Sequence, residues 1–275
     1  MPETVLVDVV DQIATLTLNR PERRNAWTLQ LANELSDALE QCDADDNVRV
    51  VVVTGAGSAF SVGADIGSGD LSHPGDGSTT PEDDRMPSVF PPMLRKPVIA
   101  AINGDAVGAG ITFSLLCDIR VLAQNARVGF VFVRRGVIPE MGAHLTLPRV
   151  VGLATALDLI LSGRLVTADE AAGLGLCTHV TPAADVLSTA LRIARELAEK
   201  TAPVAAAISK RLLWRDALAE LTELIDEETE LLRWCSQQPD GAEGIASFVE
   251  KRPPRWTGRP SVDVPPLWST TGPQG

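Results

Sequence analysis

The stretch KPVIAAINGDAVGAGITFSLLCDIR, Lys96 to Arg120, most narrows the folds open to this chain. Pro97 opens an apolar run of strand length, Val98 to Ile102, and Asn103-Gly104 breaks it. Gly108-Ala109-Gly110 follows, and then Ile111, Leu115 and Leu116 recur at helical spacing. The order is strand, turn, glycine-lined loop, helix. The first N–H groups of a helix have no intrahelical partner and carry the positive end of its dipole. Glycine and alanine there let a bound group approach the backbone closely. Such a place binds a phosphate or stabilises an oxyanion; a tight turn packed for its own sake reads the same way. A second stretch, VRVVVVTGAGSAFSVGADI from Val48 to Ile66, repeats the arrangement. A buried strand, Val50 to Thr54, leads to a loop with Gly55, Gly57 and Gly63, and Ala64 presents a backbone N–H at its end. Two such units suit the clamping of one developing negative oxygen.

Composition sets the outer bounds. The 275 residues suffice for one large α/β domain or for a domain with a helical appendage, and an apolar content of 45% supports a sizeable core. A net charge of −12 and a pI near 4.7 disfavour duplex nucleic acid and anionic membranes as general partners. Cys42, Cys117, Cys177 and Cys235 are far apart, with no metal-ligand spacing, so buried reduced thiols in a cytoplasmic protein are expected, with no metal. The N-terminus MPETVLVDVVDQ lacks the basic region of a signal peptide. The longest apolar stretch carries Asn103 and Asp105, which argues against a bilayer span.

Read in order, Val5–Val10 and Ile13–Leu18 form a hairpin, and Thr28 caps a helix reaching about Gln41. Residues 68–92, rich in Gly, Ser, Pro and Asp, read as a lid or as plain surface loop, with His73 facing solvent. Short strands are expected at Ile119–Ala123 and Val128–Val131, and helices from Gly142 toward Val151 and over Ala154–Leu161. Thr167 and Glu170 form a capping box before a helix that ends at Gly173; Cys177–Thr181 suits a further strand. From Pro182 the pattern is helical: a stripe from Val186 to Leu197, a helix from Pro203 to Trp214, another over Ala217–Cys235, and a short one over Gly241–Lys251. Periodicity alone therefore gives α/β followed by helices.

NRPERRNAW (Asn19–Trp27), FSVGADI (Phe60–Ile66), AINGDAVGAG (Ala101–Gly110), CDIR (Cys117–Arg120), RRGVIPEMGAHLTLPRVVG (Arg134–Gly152) and SFVEKRPP (Ser247–Pro254) occur in that order. Together they resemble the crotonase superfamily, the enoyl-CoA hydratase/isomerase family, over nearly the whole chain. The resemblance implies an α/β spiral of repeated β-β-α units over residues 1–190, holding the acyl-CoA site. Residues 191–275 would be a helical trimerisation region with an extended tail. It also implies a homotrimer or dimer of trimers, with coenzyme A entering only as part of the substrate.

By the same resemblance, Ala64 and Ala109 supply the oxyanion N–H groups. The usual glutamate pair of a hydratase falls on Thr112 and Phe132, neither of which titrates near neutrality, although Thr112 is able to hold a water. Glu140 matches the proton-shuttling glutamate of enoyl-CoA isomerases. From spacing alone the reading that prevails is a helix-terminal carboxylate stabilised by the dipole. Asp65 and Asp118 read as loop-fixing hydrogen bonders, and His144 and His179 as structural. Coenzyme A would meet Arg24, Ala26, Val62, Ala64 and Ile66, with Phe248 and Lys251, from a neighbouring subunit, closing over its nucleotide end. Surface solvation is the alternative for Arg24 and Lys251. The expected activity is proton-shuttling enoyl-CoA isomerisation. The alternatives are hydration, thioester hydrolysis, and a catalytically weak acyl-CoA-binding scaffold.

Overall fold

A computed structural model of the chain describes residues 3–65, 86–259 and 263. Ile66, His73 and most of the expected 68–92 loop lie outside the described residues. Strands β1 (Val5–Val10) and β2 (Ile13–Leu18) form the expected antiparallel hairpin, turned by Asp11 and Gln12, both at positive φ. Helix α1 (Leu29–Ala44) starts where Thr28 accepts a hydrogen bond from the Leu31 N–H.

The chain then winds as a spiral. Strands β3 (Val50–Gly55) and β4 (Ala59–Ser61) are followed by β5 (Val98–Ile102), β6 (Asp105–Val107) and helix α2 (Ala109–Leu116), then by β7 (Ile119–Ala123) and β8 (Arg127–Gly129). The first strand of each turn enters one sheet, ordered β1-β2-β3-β5-β7-β10, where β10 is His179–Thr181. The second enters a smaller sheet, ordered β4-β6-β8-β9, where β9 is Leu165–Thr167. β3, β5 and β7 pair in parallel, and so do β4, β6 and β8. Strands covered on both faces read as unbroken apolar runs, and β3 and β5 are buried at every residue.

Helices complete the fold: α3 (Ala143–Val151), α4 (Leu153–Ser162), α5 (Ala168–Gly173), α6 (Val186–Lys200), α7 (Pro203–Ser236) and α8 (Pro239–Val249). α6 lays its small buried face of Ala190, Ala194 and Ala198 on the first sheet. Residue 190, the expected boundary, falls within this helix.

Three expectations change. Residues 203–214 and 217–235 form one continuous 34-residue helix; Arg215 and Asp216 between them are not breakers. The strand expected over 128–131 ends at Gly129, and Val131–Arg135 is a 3-10 turn. The capping box is half made: Thr167 accepts from the Glu170 N–H, while the Glu170 carboxylate pairs with Arg164. All four cysteines are free; Cys42, Cys117 and Cys177 are buried and Cys235 is half-buried. Among the described residues no helix is long and apolar enough to cross a membrane.

Candidate active site

The two glycine-lined loops meet backbone to backbone. A Cβ placed on Gly63 would lie 3.0 Å from the Val107 carbonyl oxygen, and one on Gly108 would lie 3.3 Å from the Gly63 Cα. Both residues have positive φ, 89° and 56°, which glycine adopts without strain. This contact places Ala64 and Ala109, each the next residue along, on adjoining loops. Ala64 forms a parallel bridge with Trp27: Trp27 donates to the Gly63 carbonyl at 2.7 Å and Asp65 donates to the Trp27 carbonyl at 3.0 Å. Among the described residues the Ala64 N–H between them has no backbone acceptor, and Ala64 is exposed. Ala109 is the first residue of α2, so its N–H has no intrahelical partner. It is 0% exposed in this structure.

Polar side chains fix these loops. Asn25, fully buried and at positive φ, accepts from the Arg20 N–H and donates to the Ala56 and Ala59 carbonyls. Asn103 bonds both backbone groups of Gly55 and the Gly57 carbonyl. Arg20 pairs with Asp65 at 2.7 Å. Asp118 accepts from the Val98 N–H and from Lys210. Both aspartates thus hold loops together, as expected.

Of the two residues that the family resemblance puts in place of the glutamate pair, Thr112 is wholly enclosed, and its hydroxyl lies within hydrogen-bond reach of the Gly108 and Ala109 carbonyls. Its one proton is thus directed at its own helix, which leaves the hydroxyl oxygen only as an acceptor. Phe132 is buried beside Gly108.

Glu140 sits just before α3 in a turn with two consecutive left-handed residues, Met141 (φ 57°) and Gly142 (φ 68°). A non-glycine residue there costs roughly 1–2 kcal/mol. The turn is held by Glu228 of α7, which is 1% exposed. Its carboxylate accepts from the Gly142 N–H at 2.7 Å and the His144 N–H at 3.2 Å, and lies 2.6 Å from His144 Nδ1. Part of Glu140 reaches solvent, but its carboxyl is packed deep among protein atoms. Burial pushes that carboxyl up from the ordinary 4.5 to about 7, and the charge of Glu228 adds to the effect.

The residues expected at coenzyme A divide into two groups. Arg24 (φ 52°), Ala26 and Val62 lie on the segments that flank the Trp27–Ala64 bridge. The Arg24 side chain is half-exposed and paired with Asp105 at 2.8 Å. Burial acts to raise the Asp105 pKa, but hydrogen bonds from Arg127 and Arg24 outweigh it and the carboxyl is held low. Phe248 and Lys251 instead line a separate surface cavity of about 850 Å³ with Arg134, Arg135 and Trp256; none of the first group lines it. The Arg135 guanidinium lies 3.9 Å from the Phe248 ring centroid.

Spiral, loops and helical C-terminus together define a crotonase-fold protein. The chain belongs to the enoyl-CoA hydratase/isomerase family, whose description matches residues 9–259. Enoyl-CoA hydratase ACTT3 of Alternaria alternata is 37% identical over 250 residues, covering 90% of this chain and 83% of that protein. The 1,2-epoxyphenylacetyl-CoA isomerase of Escherichia coli is 34% identical over 269 residues, covering 94% of this chain and 100% of the isomerase. The crystal structure of an enoyl-CoA hydratase/isomerase from Pseudoalteromonas atlantica superposes with a TM-score of 0.83 at 32% identity, covering 92% of this chain and 100% of that one.

Sequence reasoning missed Glu228, one of several acids in DEETE on an amphipathic helix. Nothing local separates it from solvated neighbours, since its partners lie 84 and 86 residues away. It also missed Arg20 and Asn25 as loop fixers, although an asparagine between a polar turn and a tryptophan is a signal for a left-handed residue.

Proposed function

We propose that the chain is an acyl-CoA enzyme that isomerises enoyl thioesters, with Glu140 as the single base. The observation that carries this is the state of the Glu140 carboxyl, raised to about 7 by burial and held on a tight turn. A base with that pKa both takes and returns a proton near neutrality. Glu140 removes a proton from C2 of a 3-enoyl thioester. The electron pair moves onto the thioester oxygen, where the Ala64 and Ala109 N–H groups receive the charge. The same proton then returns at C4, leaving the double bond between C2 and C3. A preorganised donor of this kind contributes about 3 kcal/mol to the transition state.

Arg24, Ala26, Val62 and Ile66 would contact coenzyme A, and Phe248 and Lys251 would close over its nucleotide end from a neighbouring subunit. The exposed apolar residues Leu153, Leu157 and Leu161 on α4, and Val204, Ile208, Leu212 and Leu213 on α7, support a trimer-based assembly. Hydration is the second reading, favoured by relatives named hydratase. Against it stand Thr112 and Phe132, which leave no glutamate pair to activate water.

The test is turnover of a 3-enoyl-CoA by Glu140→Gln, followed by appearance of the conjugated 2-enoyl thioester, beside a binding titration with a saturated acyl-CoA. Turnover is expected to fall about 100- to 10,000-fold with binding little changed. Normal turnover in the variant would return Glu140 to the role of a helix-terminal carboxylate.

A further inference from the structure

The turn that carries Glu140 is held from outside the spiral. Glu228 reaches it from α7, gathers two backbone N–H groups of the α3 N-terminus, and meets the His144 ring. α7 also closes tightly on the turn: a Cβ on Gly142 would collide with the Leu221 side chain, with Ile225 close behind. Strained backbone persists only where its surroundings over-determine it, and this turn has two left-handed residues in succession. A nearly dry carboxylate that accepts from two backbone N–H groups is a strong tie, since hydrogen bonds to a charged group exceed neutral ones.

We propose that Glu228 is a positioning residue for the reaction: it clamps the Glu140 turn and sets the charge beside which Glu140 works. This rests on Glu140 being the base. α2, which packs on α3, carries no titratable residue. α3 carries His144, held on Glu228, and Arg149, paired with Glu220 of α7. Arg134 and Arg135 stand on the preceding segment, and the remaining acids of α7 near the turn, from Glu223 to Glu230, face outward. Of all these charges, Glu228 is the one that acts on the Glu140 carboxyl, and it disfavours ionisation there.

The experiment follows the Glu140 carboxyl directly, by carbon-13 NMR of protein labelled at the glutamate side-chain carboxyl. The Glu140 resonance is identified by its loss in Glu140→Gln. Glu228→Gln keeps the side chain's size and an acceptor oxygen but removes the charge. The Glu140 midpoint is expected to fall below that of wild type, and the acid limb of kcat to move to lower pH with it. kcat at neutral pH should drop about tenfold while acyl-CoA affinity stays within twofold. Glu228→Asp keeps the charge but shortens the tie, so it should retain much of the raised midpoint and still lose turnover. An unchanged Glu140 midpoint in Glu228→Gln overturns the proposal, as does wild-type kcat in Glu228→Asp. A loss of kcat with an unmoved midpoint would reduce Glu228 to a structural role. Should Glu140→Gln itself prove fully active, the base assignment fails separately, and the NMR midpoint still decides whether Glu228 governs Glu140.

Discussion

A carboxyl pushed up to about 7 works against the folded state that holds it. Between the ordinary value of 4.5 and about 7, the folded chain binds a proton that the unfolded chain releases. Stability therefore falls as pH rises through that window and stays low above it, by at most about 3 kcal/mol. Glu140→Gln removes the ionisable group, so it should melt above wild type at pH 8, and the difference should shrink toward pH 5. Thermal unfolding of both proteins at the two pH values checks this. A variant less stable than wild type at pH 8 would mean that the ionised carboxylate is well satisfied where it stands. At the same scale, Thr112 and Phe132, which the family resemblance puts in place of a glutamate pair, were legible as letters of the sequence. That the Thr112 hydroxyl turns onto its own helix was not, because a threonine that back-bonds and one that holds water have the same sequence.

Among the elements, α2 shows how closely the spiral is wound. Gly110 lies inside this helix, where alanine ordinarily stabilises by about 1 kcal/mol. Here a Cβ would lie 2.5 Å from the Ser61 carbonyl oxygen of β4. Gly110→Ala should therefore destabilise by about 1–3 kcal/mol, and the added methyl would press on the strand that leads to Ala64. Gly173→Ala at the end of α5, where nothing lies within 4 Å, is the matched control and should be neutral or stabilising by up to about 1 kcal/mol. Urea unfolding of both variants tests the contrast; equal effects would mean that α2 is free to shift.

Elements with a local signature were legible from sequence. The hairpin residues of β1 and β2 and the runs of β5 and β7 were read to the residue, since each is an apolar run bounded by polar or breaking residues. The unity of α7 was not: polar Lys210 and Glu228 stand in its buried stripe with Ala217 and Leu221, while Leu212 and Leu213 are exposed, so apolar periodicity does not trace one helix through Arg215. That the two glycine-lined loops act together was legible, but the closeness of the Gly63–Gly108 contact was not, because it depends on how β4 and β6 pair.

At the scale of the molecule, the exposed apolar residues of the N-terminal half of α7 offer a face on which the proposed trimer would form. Leu213, 86% exposed, is its most open member. Leu213→Asp should lower the molar mass read by light scattering at micromolar protein, while leaving the circular dichroism unchanged. An unchanged mass would place the interface elsewhere. The same helix links that face to the Glu140 turn. Residues 204–236 contain no glycine or proline, so α7 is an unjointed rod of about 50 Å. Its N-terminal half carries Ile208 and Leu212, and Glu228 stands some 20 residues further on, roughly 30 Å along the axis. A helix without a breaker has no sharp hinge at which to bend, so a displacement at one end is shared along its length. If subunits meet on the exposed residues of its N-terminal half, a shift there would travel along α7 to the carboxylate that receives the Gly142 and His144 N–H groups.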